Sequence, residues 1–326
     1  MNTKIMVTIA KNSNNIEFVK YAYQRGIVDY RINMDYEKEA YSSISTVNSL
    51  NKKDIKIYGD FQGVKMRIHL PDTYQDVKVR VNDILTFNYD SNNRTPSISN
   101  AEMVWKYLQC GHIISIADGK IEGVITQMSD YSLTIKFVKV DYVLRQNAGC
   151  SFIGDNIPIP HMTKNMCKKI AQSVAIKEKL INWVILSFVN SADEIKDFVS
   201  LMHSYGIKVM AKIETESGIK NLDSLVSCMD GFMIGRGDLK NTLKERYEVN
   251  YQLLLERMSH IKCDFKGVGT FFLSNYSQTK IETQQEIDDV YSIKALGFDY
   301  IMLSKEVVNS KYPYQTIDFL TKLCAN

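Results

Sequence analysis

Lys212 and Glu214 stand two residues apart at the end of an apolar run, "IKVMAKIE", and "DGFMIGRGDL" repeats the plan one helix-length later with Arg236, Gly237 and Asp238. An unpaired charge is costly to bury. Two buried-looking strands that finish in charges therefore point to strand ends opening onto a shared site. Carboxylates from neighbouring strands, Glu214 and Asp238, can share one hard cation. Mg2+ or Mn2+ fits, taking one or two protein carboxylates plus substrate oxygens and water. Lys212 falls on the same strand face as Glu214 and can reach the same ligand. There it would act as a fixed charge on a developing enolate or on a transferring phosphoryl group. The competing reading of Lys212 and Glu214 is a surface ion pair of little energetic weight.

Other strand-like runs end in the same manner: Arg31 and Asn33, then Asp60, Lys65 and Arg67, then Ser187 and Phe188, Thr270, and Ser304, Lys305 and Glu306. Arg31 and Arg67 offer forked donors to phosphate or carboxylate. One charged loop residue is more often plain surface. Several cations and two carboxylates on one rim fit an anionic substrate bridged through a divalent metal.

The elements that would position these residues alternate. "KIMVTIA", "DYRINM", "IKIYGDF", "INWVILSFV", "IKVMAKIE", "DGFMIGRGDL", "KGVGTFFL" and "DYIMLSKE" read as strands, each followed by a helical pattern. Ser191 and Glu194 make a capping-box pattern before the helix that follows the fourth strand. Eight such units predict a closed (β/α)8 barrel of the TIM type. An open doubly wound sheet would want a Gly-rich first turn, and that turn is "AKNSNN". Between strand three and its helix the chain reads as short β runs, "VKVRVNDILTF", "HIISIADGKIEGVITQM" and "YSLTIKFVKVDYVL". The expected organisation is a barrel from residues 1–67 and 155–326, with a small inserted all-β cap domain at 68–154.

The chain has 326 residues, is 45% hydrophobic and 24% charged, and carries a formal net charge of +3. This is globular composition, without the basic footprint of a nucleic-acid binder. No apolar run approaches the ~20 residues of a membrane span, and the start lacks the apolar stretch of a signal peptide. The six cysteines form no CxxC pair, which fits free thiols in a reducing compartment. The expectation is a cytoplasmic protein with no membrane or nucleic-acid partner. A homo-oligomer is left open.

With these residues assembled, the chain resembles the pyruvate kinase family almost end to end. "TKIMVTIAKNS" is similar to the family's "TKIVxTIGPAS", "RINM" to "RxNFSHG", "GDFQGVKMRI" to "DTKGPEIR" and "SIADGKI" to "DDGLI". "AKIETESGIKNLDSL", "DGFMIGRGDL", "VGTFFL" and "YIMLSKEVVNSKYP" resemble "xKIEnxxGxxNxDEI", "DGIMVARGDLG", "ATQML" and "xxMLSGETAxGxYP". The resemblance implies a (β/α)8 barrel with a mobile β cap, binding phosphoenolpyruvate and a divalent metal on the barrel rim. It implies that Arg31 and Lys212 bind the transferring phosphoryl group and that Glu214 and Asp238 hold the metal. The backbone at Gly237 and Asp238 would take the substrate carboxylate, and Thr270 would lie where the enolate is protonated. Asn33 and Asp60 match members of a potassium site. Arg67 and Arg236 are supporting positions. Lys65 stands where the family's potassium-dependent members have Glu, so its ammonium would replace the cation and K+ would not be required.

Departures cluster on the nucleotide side. Lys11, Asp35, Tyr36, Glu37, Asn147, Ala148, Lys240 and Phe271 replace family residues, and the chain is expected to lack the C-terminal regulatory domain. The reading is a metal-dependent enzyme acting on phosphoenolpyruvate, pyruvate or a related 2-oxo acid through a metal-bound enolate, with phosphoryl transfer to a non-standard acceptor. A conventional ADP-dependent kinase, a lyase or decarboxylase using the same enolate, and a phosphoenolpyruvate-sensing protein remain alternatives.

Overall fold

The computed structural model describes residues 3–62, 66–71, 76–89, 94–117, 119–154, 157–158 and 160–325. The chain divides into two compact units, Met1–Gly63 with His161–Asn326, and Val64–Pro160.

The first unit is a closed barrel of eight parallel strands: β1 (Lys4–Ile9), β2 (Asp29–Asn33), β3 (Lys56–Phe61), β4 (Trp183–Leu186), β5 (Lys208–Ile213), β6 (Gly231–Gly235), β7 (Phe265–Gly269) and β8 (Tyr300–Leu303). Each pairs with its neighbours in sequence, and β8 closes on β1. The strands read as continuous apolar runs because both of their faces are buried. Outward residues such as Val184, Leu186, Val209, Ala211 and Val268 pack under the helices. Inward residues Met6, Tyr58, Trp183, Ile185, Met210, Met233, Phe265, Tyr300 and Met302 plug the barrel. Phe265 and Tyr300 stack with ring centroids 4.1 Å apart, Tyr58 and Trp183 at 5.5 Å. A strand repeats its face every second residue. Two residues beyond Met6, Tyr58, Ile185 and Met210, the inward positions are therefore Thr8, Asp60, Ser187 and Lys212. The plug thus gives way to polar groups at the C-terminal ends of the strands, where barrels of this class carry their sites.

Capping residues start several of the helices. Asn15 accepts from Phe18 N, Thr163 from Met166 N, Thr215 from Gly218 N and Thr283 from Glu286 N. Three local expectations need correction. Ser191 is an N-cap without a side-chain capping bond, and Glu194 Oε2 instead accepts from Lys164 N at 2.9 Å. The helical pattern after the fifth strand, "IKNLDSLVSCM", forms two short helices, Glu216–Lys220 and Leu222–Val226, meeting at Asn221. The sixth strand stops at Gly235, and Arg236–Leu243 is already helical. Asp238 therefore stands in a helix's first turn, where a carboxylate suits the positive end of the helix dipole.

The second unit has its own closed sheet, in the order Ser132–Val140, Ile84–Asn88, Ser97–Ser99, Met66–His69, Gly149–Ile153, Ile113–Ile116, Ile121–Met128. Its core is built on alternate residues, including Ile114, Ile116, Leu133, Ile135 and Phe137. A 3-10 turn at Trp105–Tyr107 is its one described helical element. Among the described residues, no helix is long and apolar enough to cross a membrane.

Candidate active site

Four charged side chains meet at the C-terminal ends of β2, β3 and β5. Asp60 is fully buried. Its Oδ2 accepts from Arg31 Nε at 2.8 Å, with Arg31 Nη2 at 2.7 Å and Lys212 Nζ at 3.4 Å. Its Oδ1 accepts from Ser187 Oγ at 3.3 Å. Lys212 Nζ donates to Ser187 Oγ at 2.9 Å and lies 3.0 Å from Glu214 Oε1. Arg31 Nη1 donates to Thr8 Oγ1 at 3.2 Å. Strand register makes this meeting: Asp60 stands opposite Asn33 on β2 and Ile185 on β4, two residues before Ser187.

Lys212 and Glu214 are thus not a surface pair, being 5% and 1% exposed. Burial alone would neutralise the ammonium, but Asp60 and Glu214 outweigh it and hold the Lys212 pKa above its ordinary range. Burial likewise opposes the Asp60 charge, and Lys212 and Arg31 overcome it, keeping this carboxyl below its usual range. Glu214 behaves otherwise. Burial, with Asp238 adding to it and Lys212 acting against it, pushes its pKa up to about 7.

Glu214 is fixed on three sides. Its Oε2 accepts from Phe188 N at 2.8 Å, and its carbonyl accepts from Thr242 Oγ1 at 2.6 Å. Phe188 has a left-handed backbone, φ 54°. On the third side Gly235 leaves open the space that a β-carbon would take. Oε1 remains buried without a well-formed hydrogen bond, despite its closeness to Lys212.

That orphaned oxygen bears on whether a divalent cation fits. Two carboxylates, Asp60 and Glu214, contact the cations Arg31 and Lys212, and the Asp238 charge acts on Lys212 and Glu214. Asp60 is consumed by the cations, whereas Glu214 has an oxygen to spare and Asp238 raises its proton affinity. Among the described residues no group of three or more His, Cys, Asp or Glu could hold a metal. A pair of carboxylates is nonetheless the donor set expected for Mg2+, whose other ligands are substrate and water. The residues fit.

Thr270 closes β7 with φ 72°, and its carbonyl accepts from Arg236 Nε at 2.9 Å. Gly237 lies against it, since a β-carbon there would come within 3.3 Å of Thr270 Cγ2. Asn33 Oδ1 accepts from Asp35 N at 2.8 Å. Arg67 belongs to the second unit, where its Nη1 donates to Asn147 O at 3.1 Å. Lys65 lies outside the described residues. Sequence reasoning did not single out Thr8, Thr242 or the Phe188 amide, and named Ser187 only as a strand end. A backbone donor has no sequence signal.

Comparison with known proteins agrees with this architecture. Residues 1–317 match the family described as "Pyruvate kinase, barrel domain". The pyruvate kinase of Methylorubrum extorquens is 26% identical, covering 98% of this chain and 67% of that protein. The pyruvate kinase of Methanocaldococcus jannaschii is also 26% identical, covering 98% and 68%. The chain therefore spans about two thirds of the length of these relatives. The crystal structure of Cryptosporidium parvum pyruvate kinase superposes with a TM-score of 0.84 at 22% identity, over 99% of this chain and 70% of that one. Because the family match runs over nearly the whole chain and the barrel has the corresponding fold, this chain belongs to the pyruvate kinase family.

Proposed function

We propose that this chain is a pyruvate-kinase-like enzyme that acts on phosphoenolpyruvate, pyruvate or a close 2-oxo acid through an enolate, with an acceptor other than ADP. The observation that carries the reading is the Lys212 ammonium, buried between Asp60 and Glu214 and bonded to Ser187. Family membership supports the reaction class.

In this reading Arg31 binds the phosphoryl group with the N–H groups that Asp60 and Thr8 leave over. Transfer breaks the P–O bond of the enol phosphate. The bonding electrons stay on the enol oxygen, and the phosphoryl group passes to an acceptor oxygen that releases its proton. Lys212, held charged by its carboxylates, stabilises the oxyanion as it develops. C3 of the enolate then takes a proton on the Thr270 side, giving the 2-oxo acid. A divalent cation, Mg2+ or Mn2+, held by Glu214 and Asp238, would supply Lewis acidity at the 2-oxo group. The second unit is read as the family's inserted cap domain. Lys65 is read as supplying the charge of a monovalent cation, so that K+ is not required.

The test is proton exchange. Pyruvate incubated in D2O with the protein and Mg2+, with phosphate present, should exchange its methyl protons, and Lys212→Met should suppress this. No exchange under any metal or anion condition, with oxalate still bound, would make a sensing protein the better reading. A second reading, the conventional ADP-dependent kinase, is favoured by the span of the match, 98% of the chain against curated pyruvate kinases.

A further inference from the structure

Arg236 makes a set of bonds that the reaction as described does not use. It is 5% exposed. Nε and Nη2 both donate to the Thr270 carbonyl, at 2.9 and 2.5 Å. Nη1 donates to both oxygens of Asp289, at 2.8 Å each. The guanidinium carbon lies 3.9 Å from the centroid of the Phe272 ring. All three guanidinium nitrogens are thus engaged with one short segment and the helix behind it.

That segment is unusual in its backbone. Thr270 and Phe271 have φ of 72° and 67°. Two successive L-residues in the left-handed region are disfavoured, most of all a β-branched one. Such a conformation persists only where the surroundings over-determine it. Two N–H groups from one rigid fork on a single carbonyl fix the plane of the 270–271 peptide. The other end of the segment is tied down as well. Glu286 Oε1 accepts from Asn275 N at 2.8 Å, and Glu286 and Asp289 lie on one helix, Gln284–Ala295. Gly237, the residue after Arg236, receives the Thr270 methyl group.

We propose that Arg236 is a positioning residue for Thr270: its guanidinium, itself oriented by Asp289, holds the Thr270–Phe271 turn in its left-handed form. The consequence for proton delivery rests on the functional reading above; the clamp itself does not. Lysine cannot substitute, because an ammonium has charge but no planar fork.

The experiment compares Arg236→Met, Arg236→Lys and Asp289→Asn in the full chain by two readouts. The first is hydrogen exchange of the peptide covering 268–276, which should lose protection in Arg236→Met while the barrel strands keep theirs. The second is pyruvate methyl exchange in D2O. Its maximal rate should fall by about tenfold to a hundredfold, the usual cost of a small misplacement, with KM changed by no more than about threefold. Arg236→Lys should recover little, and Asp289→Asn should lie between. Adding Phe271→Gly to Arg236→Met should restore part of the rate, since glycine adopts the left-handed form freely. Unchanged protection of 268–276 overturns the proposal, as does a raised KM at an intact rate. If Arg236→Met does not fold, Arg236→Lys and Asp289→Asn carry the same comparison. If the wild-type protein exchanges no methyl protons, the functional reading fails, and the clamp stands or falls on the protection of 268–276.

Discussion

Gly235 and Glu214 approach so closely that a β-carbon on the glycine would lie 2.4 Å from Oε1 and 2.8 Å from Cγ of the glutamate. The missing side chain on β6 is what lets the carboxylate stand upright at the end of β5. In Gly235→Ala the glutamate must swing away, losing the 2.8 Å bond from Phe188 N. Overpacking of this kind costs about 1–3 kcal/mol, which a barrel of this size tolerates. Metal-dependent oxalate binding should weaken by at least about tenfold, or ~1.4 kcal/mol. Calorimetry with Mg2+ and oxalate measures it, and wild-type affinity in Gly235→Ala would remove Glu214 from the ligand set.

Glu214 also sets a pH dependence. Its pKa is about 7 in the folded chain against an ordinary 4.5. Between these values the folded state keeps a proton that the unfolded state has lost. Metal-free stability should therefore fall as pH rises through this window, by linkage. Asp60 has the opposite sign, but its contribution is lost only as pH drops below the ordinary 3.8. The two effects occupy separate ranges. Binding of Mg2+ should release a proton below pH 7, and its affinity should rise from pH 5.5 to 7.5. Urea titrations across this range, with Glu214→Gln as control, check the first point. A pH-independent Mg2+ affinity would contradict the second.

Lys212→Met leaves Asp60 and Glu214 facing each other with one shared cation gone. Breaking a buried ion pair from one side typically costs ~3–5 kcal/mol. Arg31 still neutralises Asp60, so the lower end applies here. The urea midpoint should drop accordingly, and Glu214 should take up a proton at higher pH than before. Lys212→Arg should keep stability better than activity, because its fork cannot reproduce a point charge among three acceptors. Equal stability of Lys212→Met and wild type would mean that the ammonium is not the centre of this cluster.

The eight strands were legible because each is an apolar run bounded by turn residues and helix-period patterns, and burial on both faces leaves little else for such runs to become. The end of β6 was not. "GFMIGRGDL" keeps its apolar rhythm past Gly235, and helicity from Arg236 is imposed by packing of Leu239 and Leu243 into the core. Lys212, Glu214 and Asp238 could be found from charge at strand ends. That Asp60 accepts both Arg31 and Lys212 depends on strand register and barrel closure, which no local pattern encodes. Asp289 sits 53 residues from Arg236 in the sequence, and only the tertiary fold brings the two together.

ADP should be a poor phosphoryl acceptor. Two of the residues that depart from the family pattern expose aromatic rings and no charge for a polyphosphate. Tyr36 is 42% exposed and Phe271 47%. Phe271 brings an apolar ring beside Gly237, where a polar side chain would have served a nucleotide better. Arg31, Lys212 and Glu214 are untouched by these changes, so enolate chemistry should survive while nucleotide-dependent transfer does not. A lactate-dehydrogenase-coupled assay with saturating phosphoenolpyruvate, Mg2+ and ADP should give slow turnover, alongside measurable methyl exchange of pyruvate. Turnover of ~10²–10³ s⁻¹, in the upper range of ordinary enzymes, would establish the conventional kinase. The departures would then be neutral replacements around a working nucleotide site, and Phe271→Gln should leave the rate unchanged. Under the reading argued here, that same substitution should raise the ADP-dependent rate.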